Sequence, residues 1–86
     1  MAQVTVNMDT IDLRKAETTL VTGKHVDNLQ GLLKATRKPD QDPGPIDGKG
    51  GAKTKAAVVA FQGANSLAED AIVGPQTWGK LIPFAS

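Results

Sequence analysis

Near its start the chain alternates apolar with polar residues: Val4, Val6 and Met8 against Thr5, Asn7 and Asp9, with the apolar theme resuming at Ile11 and Leu13. Period-two alternation in β-branched company predicts an extended segment, half-buried on something. Residues 1–22 therefore read as an N-terminal arm, and residues 23–86 as the domain it precedes. Such an arm either folds back on its own domain or adds to a partner's sheet, and Val4, Val6, Met8, Ile11 and Leu13 are the residues it would offer a partner.

From Lys24 to Ala35 the spacing turns helical, with Val26, Leu29, Leu32 and Leu33 on one side and Lys24, Asp27, Asn28 and Lys34 elsewhere. Thr22 is placed to act as N-cap. Between Thr36 and Gly51, Pro39, Pro43 and Pro45 with Gly44, Gly48, Gly50 and Gly51 predict a long, stiffened loop with no helix in it. Helical spacing returns from Ala52 to Ala64, with Ala57, Val58 and Phe61 inward and Lys53 and Lys55 toward water. Asn65 is suited to the left-handed conformation that ends helices, and Leu67 to folding back onto the core. Gly74 as N-cap and Pro75 as first helical residue open a short third helix in which Trp78, Leu81 and Ile82 share a face, and Pro83 should stop it. The expected fold is all-α: three helices behind an extended arm.

The second and third helices share a lead-in. Asp47-Gly48-Lys49-Gly50-Gly51-Ala52-Lys53-Thr54 and Asp70-Ala71-Ile72-Val73-Gly74-Pro75-Gln76-Thr77 both keep Asp, a Gly four residues later and a Thr three after that, at an offset of 23 residues. A duplicated phrase of this kind reports architecture. The Asp can accept local backbone N–H bonds, the Gly tolerates torsions that other residues avoid, and the Thr can bond back toward the cap.

Composition narrows the function. With 86 residues, ten Lys plus Arg, nine Asp plus Glu and a net charge of +1, the chain lacks the basic excess of a nucleic-acid binder. Its basic run, Lys34, Arg37, Lys38, Lys49, Lys53 and Lys55, is interrupted by Asp40, Asp42 and Asp47 and reads as a solvated face. Cysteine is absent, which removes disulfides and thiolate metal sites. The N-terminus does not read as a signal peptide, and no apolar stretch approaches a membrane span, so a soluble protein with no membrane partner is expected.

The residues from Val26-Asp27-Asn28-Leu29-Gln30 through both copies of the phrase to Val73-Gly74-Pro75-Gln76-Thr77-Trp78-Gly79-Lys80-Leu81, with Ala57-Val58 and Phe61-Gln62 between them, resemble the small three-helix peptidoglycan-binding domain of bacterial and phage cell-wall hydrolases. The resemblance covers about two thirds of the chain. It implies a non-catalytic module that holds a partner enzyme or particle to the wall. Three positions depart from the family's pattern: Gly50 stands for a bulky apolar residue, Ala71 for the Gly of a second Asp-Gly, and Ser66 for a helix-ending Gly. From these a looser first loop is expected, along with an Ala71 that avoids positive φ and a weakened hold on the wall.

Candidate ligand-binding residues are Gln30, Asp47, Thr54, Gln62, Asp70, Thr77 and Trp78. For Trp78, packing with Leu81 and Ile82 is favoured over a sugar-stacking platform. Gln30 and Gln62 sit beside apolar stripes and would either bond a muropeptide amide or tie loops together. His25, the single histidine, reads as exposed on the first turn of helix one, and no nucleophile, base or metal set accompanies it. Asp47 and Asp70 as a glycosidase acid pair are outweighed by their work in the turns. No enzyme, metal or cofactor is expected. The expected role is attachment of a multicopy assembly, such as a phage particle, to peptidoglycan outside the cell, anchored through the arm. A structural or decoration subunit with its wall affinity lost, and a non-covalent targeting subunit of a wall hydrolase, are the alternatives.

Overall fold

The computed structural model describes residues 10–23 and 25–85. Its order is β1 (Ile11–Asp12), α1 (Val26–Ala35), a 3-10 turn (Pro39–Gln41), α2 (Ala52–Ala64), β2 (Ile72–Val73), α3 (Pro75–Leu81) and a closing 3-10 turn (Ile82–Ala85). Three helices enclose the core, and a two-stranded antiparallel sheet pairs Ile11 with Val73 and Asp12 with Ile72. The core is Ile11, Leu13, Ala16, Val26, Leu29, Leu33, Ala57, Val58, Phe61, Ala71, Val73, Trp78 and Leu81. Trp78 has no exposed surface and is its largest member.

Of the arm residues singled out above, Val4, Val6 and Met8 lie outside the described residues. Ile11 and Leu13 are not available to a partner, because both are buried in this chain's own core. The segment from Ile11 to Val21 touches both lead-ins in turn. Leu13 N–H donates to the Ala71 carbonyl at 2.9 Å, and Val21 and Gly50 exchange backbone hydrogen bonds at 2.8 and 2.9 Å. The tight turns between these contacts are held by Ala16 N–H on the Leu13 carbonyl and Thr19 N–H on the Lys15 carbonyl. Lys55, expected in water, crosses to this segment: its Nζ donates to Glu17 at 2.6 Å and to the Arg14 carbonyl at 3.1 Å.

Helix α1 begins later than its apolar spacing suggests, and Thr22 does not cap it. His25 occupies the cap position in the left-handed conformation, at φ 72°, with no side-chain cap bond. With Gly23 also at positive φ, the chain bends away before the helix and leaves Thr22 outside the first turn. His25 is half-buried, its ring edge-on to Trp78 at 6.5 Å between centroids. Its ring also meets Asn28, with Nδ1 3.1 Å from Asn28 Nδ2, so a contact across the domain and a local one accompany the left-handed backbone, which histidine adopts more readily than most residues.

The Pro-rich loop contains a turn of 3-10 helix after all, since Pro39 at its first position has no N–H that the turn would need. Helix α2 occupies Ala52–Ala64 as its spacing predicts. At its end Asn65 is not left-handed; Ser66 is, at φ 59°. Leu67 N–H reaches the Gln62 carbonyl at 2.8 Å and Ser66 N–H the Gly63 carbonyl at 3.2 Å, the paired bonds of a Schellman ending. Gly74 and Pro75 open α3 as expected, but Pro83 does not stop the chain's coiling, which tightens into the closing 3-10 turn.

Candidate functional site

The repeated phrase folds into two near-identical turns, each clamped by one buried glutamine. In the first, Gln30 on α1 donates through Nε2 to Asp47 Oδ1 (3.2 Å), the Lys49 carbonyl (3.1 Å) and Thr54 Oγ1 (3.2 Å). Its Oε1 accepts from the N–H groups of Asp47 (3.0 Å) and Gly48 (2.9 Å). In the second, Gln62 on α2 donates to Asp70 Oδ1 (3.0 Å), the Ile72 carbonyl (3.0 Å) and Thr77 Oγ1 (3.2 Å), and accepts from Ala71 N–H (3.2 Å). Each Asp closes its turn by accepting from the residue two places on: Lys49 N–H at 2.9 Å, Ile72 N–H at 3.0 Å. The caps that follow match as well, Gly51 at φ −110°, ψ −158° and Gly74 at φ −104°, ψ −164°.

This geometry accounts for the choice of residues. A primary amide is the side chain that offers both a carbonyl and an NH2 group, so a single Gln can satisfy turn donors and turn acceptors together. The threonines were expected to bond back toward their caps; instead each hydroxyl accepts from the glutamine, fixing helix start to turn. No buried side-chain nitrogen or oxygen among the described residues lacks a partner. Asp47 is held below the ordinary carboxylate range, first by the Lys49 N–H and then by Gln30.

Two departures from the family's pattern resolve differently from expectation. Ala71 does not avoid positive φ: it sits at 59°, where Gly48 of the first turn sits at 74°. The clamp on its N–H and the Leu13 bond on its carbonyl hold it there. Nor is the loop at Gly50 loosened by the missing side chain. Leu13 and Val21 fill that space, and Gly50 is buried against them.

Surface access separates the candidates. Gln30, Thr54, Gln62, Thr77 and Trp78 are buried, whereas Asp47 and Asp70 are exposed. Over the second turn lies an open cleft of about 450 Å³, lined by Gln62, Leu67, Ala68, Asp70, Ile72, Gly74, Pro75, Gln76 and Thr77. It belongs to one copy of the phrase and does not run between the two. A second hollow of about 430 Å³ lies between the Pro-rich loop and α2, where Lys34 pairs with Asp42 at 3.1 Å. Sequence reasoning missed Leu67, Ala68 and Ile72 as lining residues: the Schellman ending that places Leu67 and Ala68 depends on a left-handed Ser66, and Ile72 is placed by its pairing with Asp12 and the Gln62 bond to its carbonyl. Among the described residues no group of His, Asp and Glu could hold a metal, and no helix is long and apolar enough to cross a membrane.

A family model described as "putative peptidoglycan binding domain" matches residues 22–81, from the residue after Val21, the bridge partner of Gly50, to the end of α3. The chain belongs to that family. The match takes in both clamped turns, both glutamines and the whole cleft, and leaves outside it the segment Ile11–Val21 that packs under them. A curated relative from Kitasatospora aureofaciens, "Uncharacterized protein in bpoA1 3'region", is 56% identical over 36 residues, covering 42% of this chain and 30% of that protein. The chain thus matches under a third of that relative's length. No solved structure matches it.

Proposed function

We propose that this peptidoglycan-binding-domain chain is a non-catalytic module that holds a larger assembly, such as a phage particle, to the bacterial cell wall. Family membership over residues 22–81 is the observation that carries the reading. The build of the molecule agrees with it: buried polar groups are engaged in shaping turns, and a shallow cleft of about 450 Å³ offers Asp70, Gln76 and the apolar side chains of Leu67 and Ile72 to a ligand. Aromatic rings are few, with two Phe and one Trp, and Trp78 is wholly buried. The natural contact is therefore with stem peptides and acetamido groups rather than with stacked sugar faces. One shallow site binds weakly, so retention on a wall follows from many copies acting together.

Sedimentation of the purified chain with purified sacculi at low salt tests this. Binding places the folded protein in the pellet, and a folded protein that stays in the supernatant refutes it. Anchorage to a partner falls to residues outside the core, since Ile11 and Leu13 are engaged within the chain. Co-sedimentation with intact virions, or co-purification with an amidase or muramidase, separates particle from hydrolase as the assembly.

A further inference from the structure

The two clamped turns are alike in backbone and unlike in what they show to solvent. Where the second carries Ile72 and Gln76, the first carries Lys49 and Lys53. The second cleft has one acidic side chain, Asp70, and no Lys or Arg among its lining residues. All the hydrogen bonds that build the turn use Asp70 Oδ1, which leaves Oδ2 of an exposed carboxylate to a ligand. Arg14 feels the charge of Asp70, but its guanidinium is held by Asp12 at 2.7 Å. Beside the carboxylate, Leu67, Ile72 and Pro75 supply apolar walls.

A carboxylate next to apolar walls suits a positive charge carried on methylenes. We infer that the cleft over the second turn takes a primary ammonium on an alkyl chain, the side chain of a lysine-type diamino acid in a stem peptide. This rests on the wall-binding reading and specifies its ligand. The first turn, with Lys49 and Lys53 at the matching places, repels the same group, so each domain holds one such side chain.

The test uses the whole chain and the tetrapeptide L-alanyl-γ-D-glutamyl-L-lysyl-D-alanine, followed by amide NMR shifts, beside the same peptide acetylated on the lysine Nζ. The expected shifts are at Ala68, Ile72 and Gln76, and acetylation weakens binding by about two- to fivefold, the range for an exposed ion pair. Asp70→Asn keeps the Oδ1 acceptor of the turn and should weaken binding by the same factor, with its melting curve little changed. Gln76→Lys, on an exposed position, places a competing ammonium in the cleft and should also weaken it. Equal binding of both peptides, shifts confined to another surface, or no shift at millimolar peptide overturns the inference. If the chain still sediments with sacculi in any of those cases, the wall-binding reading survives and only the ligand is wrong. If it does not sediment, both fall.

Discussion

Leu13 Cδ2 lies 3.0 Å from where a Cβ on Gly50 would stand, and the Val21 carbonyl oxygen lies 3.2 Å from the same point. The glycine is thus the partner of a large side chain, and one apolar volume is supplied by residue 13 instead of residue 50. In the second copy of the phrase the matching residue is Val73, which is fully buried and pairs with Ile11. Gly50→Ala should therefore destabilise the fold by about 1–3 kcal/mol, because the Val21 carbonyl belongs to backbone that is itself paired with residue 50. For a domain of this size that is a fall in melting temperature of roughly 4–8 °C per kcal/mol. Combining it with Leu13→Ala should cost less than the two single losses together, since the smaller residue 13 makes room. Strict additivity in a thermal melt would show that the two positions do not share this space.

The segment before the family-matched region should be required for folding. Ile11 and Leu13 are buried, and side chains of that size contribute roughly 1.5–3 kcal/mol each. Their sum is comparable with the whole stability of a small domain. A chain starting at Thr22 should show weakened near-ultraviolet circular dichroism from Trp78 and a broad melt. A sharp cooperative transition close to that of the full chain would contradict it.

Each clamping glutamine should be worth far more than a surface polar residue. Gln62→Leu removes the partner of Ala71 N–H and of the Ile72 carbonyl, and leaves Thr77 Oγ1 in an apolar site. Unmet buried polar groups cost about 1–3 kcal/mol each, so the substitution should lower stability by at least about 2–4 kcal/mol. Gln30→Leu should do the same at the first turn. Urea unfolding followed by Trp78 fluorescence measures both, and a loss below about 1 kcal/mol would mean the turns hold without their clamps.

What could be read from the sequence divides by distance along the chain. The bounds of α2 and the Gly74-Pro75 start of α3 follow from apolar spacing and cap chemistry within a few residues, and both are found as read. The start of α1 was out of reach because His25 is held left-handed near a Trp placed 53 residues later. The clamps were half visible. Gln30 and Gln62 each interrupt a buried stripe, after Leu29 and after Phe61, and a polar residue in the same place on two helices is a signal. Their partners lie 17 residues beyond Gln30 at Asp47 but only 8 beyond Gln62 at Asp70, so a search at one fixed offset does not find both. Strand β1 falls in the segment whose alternation predicts extended chain, whereas β2, two residues long, carries no pattern of its own.

Exchanging the residues that differ between the turns should reveal their unequal strain. Gly48 has φ 74° with open space about its missing Cβ, so Gly48→Ala should cost about 1 kcal/mol in backbone strain alone. Ala71 already carries that strain at φ 59°, and its methyl is buried. Ala71→Gly relieves about 1–2 kcal/mol of torsional cost, while it loses about 0.8 kcal/mol of methyl burial and loosens the unfolded chain. The two effects nearly cancel, and the expected change is within about 1 kcal/mol of zero. A large loss at Ala71→Gly would show that the methyl, and not the clamp, fixes the second turn.

Acid should weaken the fold through Asp47 and two further carboxylates, Asp42 and Asp12. Asp47 has its carboxyl lowered by the Lys49 N–H and Gln30, Asp42 by the Gly44 N–H and Lys34, and Asp12 is drawn down to about 2 chiefly by the Arg14 side chain. A group lowered on folding is ionised in the folded chain at a pH where the unfolded chain has begun to bind its proton. Its contribution is therefore complete above the unfolded value near 3.8 and is lost as pH falls through the folded value. Melting temperature should hold level from neutrality to about pH 5 and then decline toward pH 2. Asp47→Asn keeps an oxygen that can accept from Lys49 N–H and Gln30 but has no proton to gain, so its decline should be shallower than that of the native chain. If the two curves stay parallel from pH 5 to pH 2, Asp47 is not among the groups that drive acid unfolding.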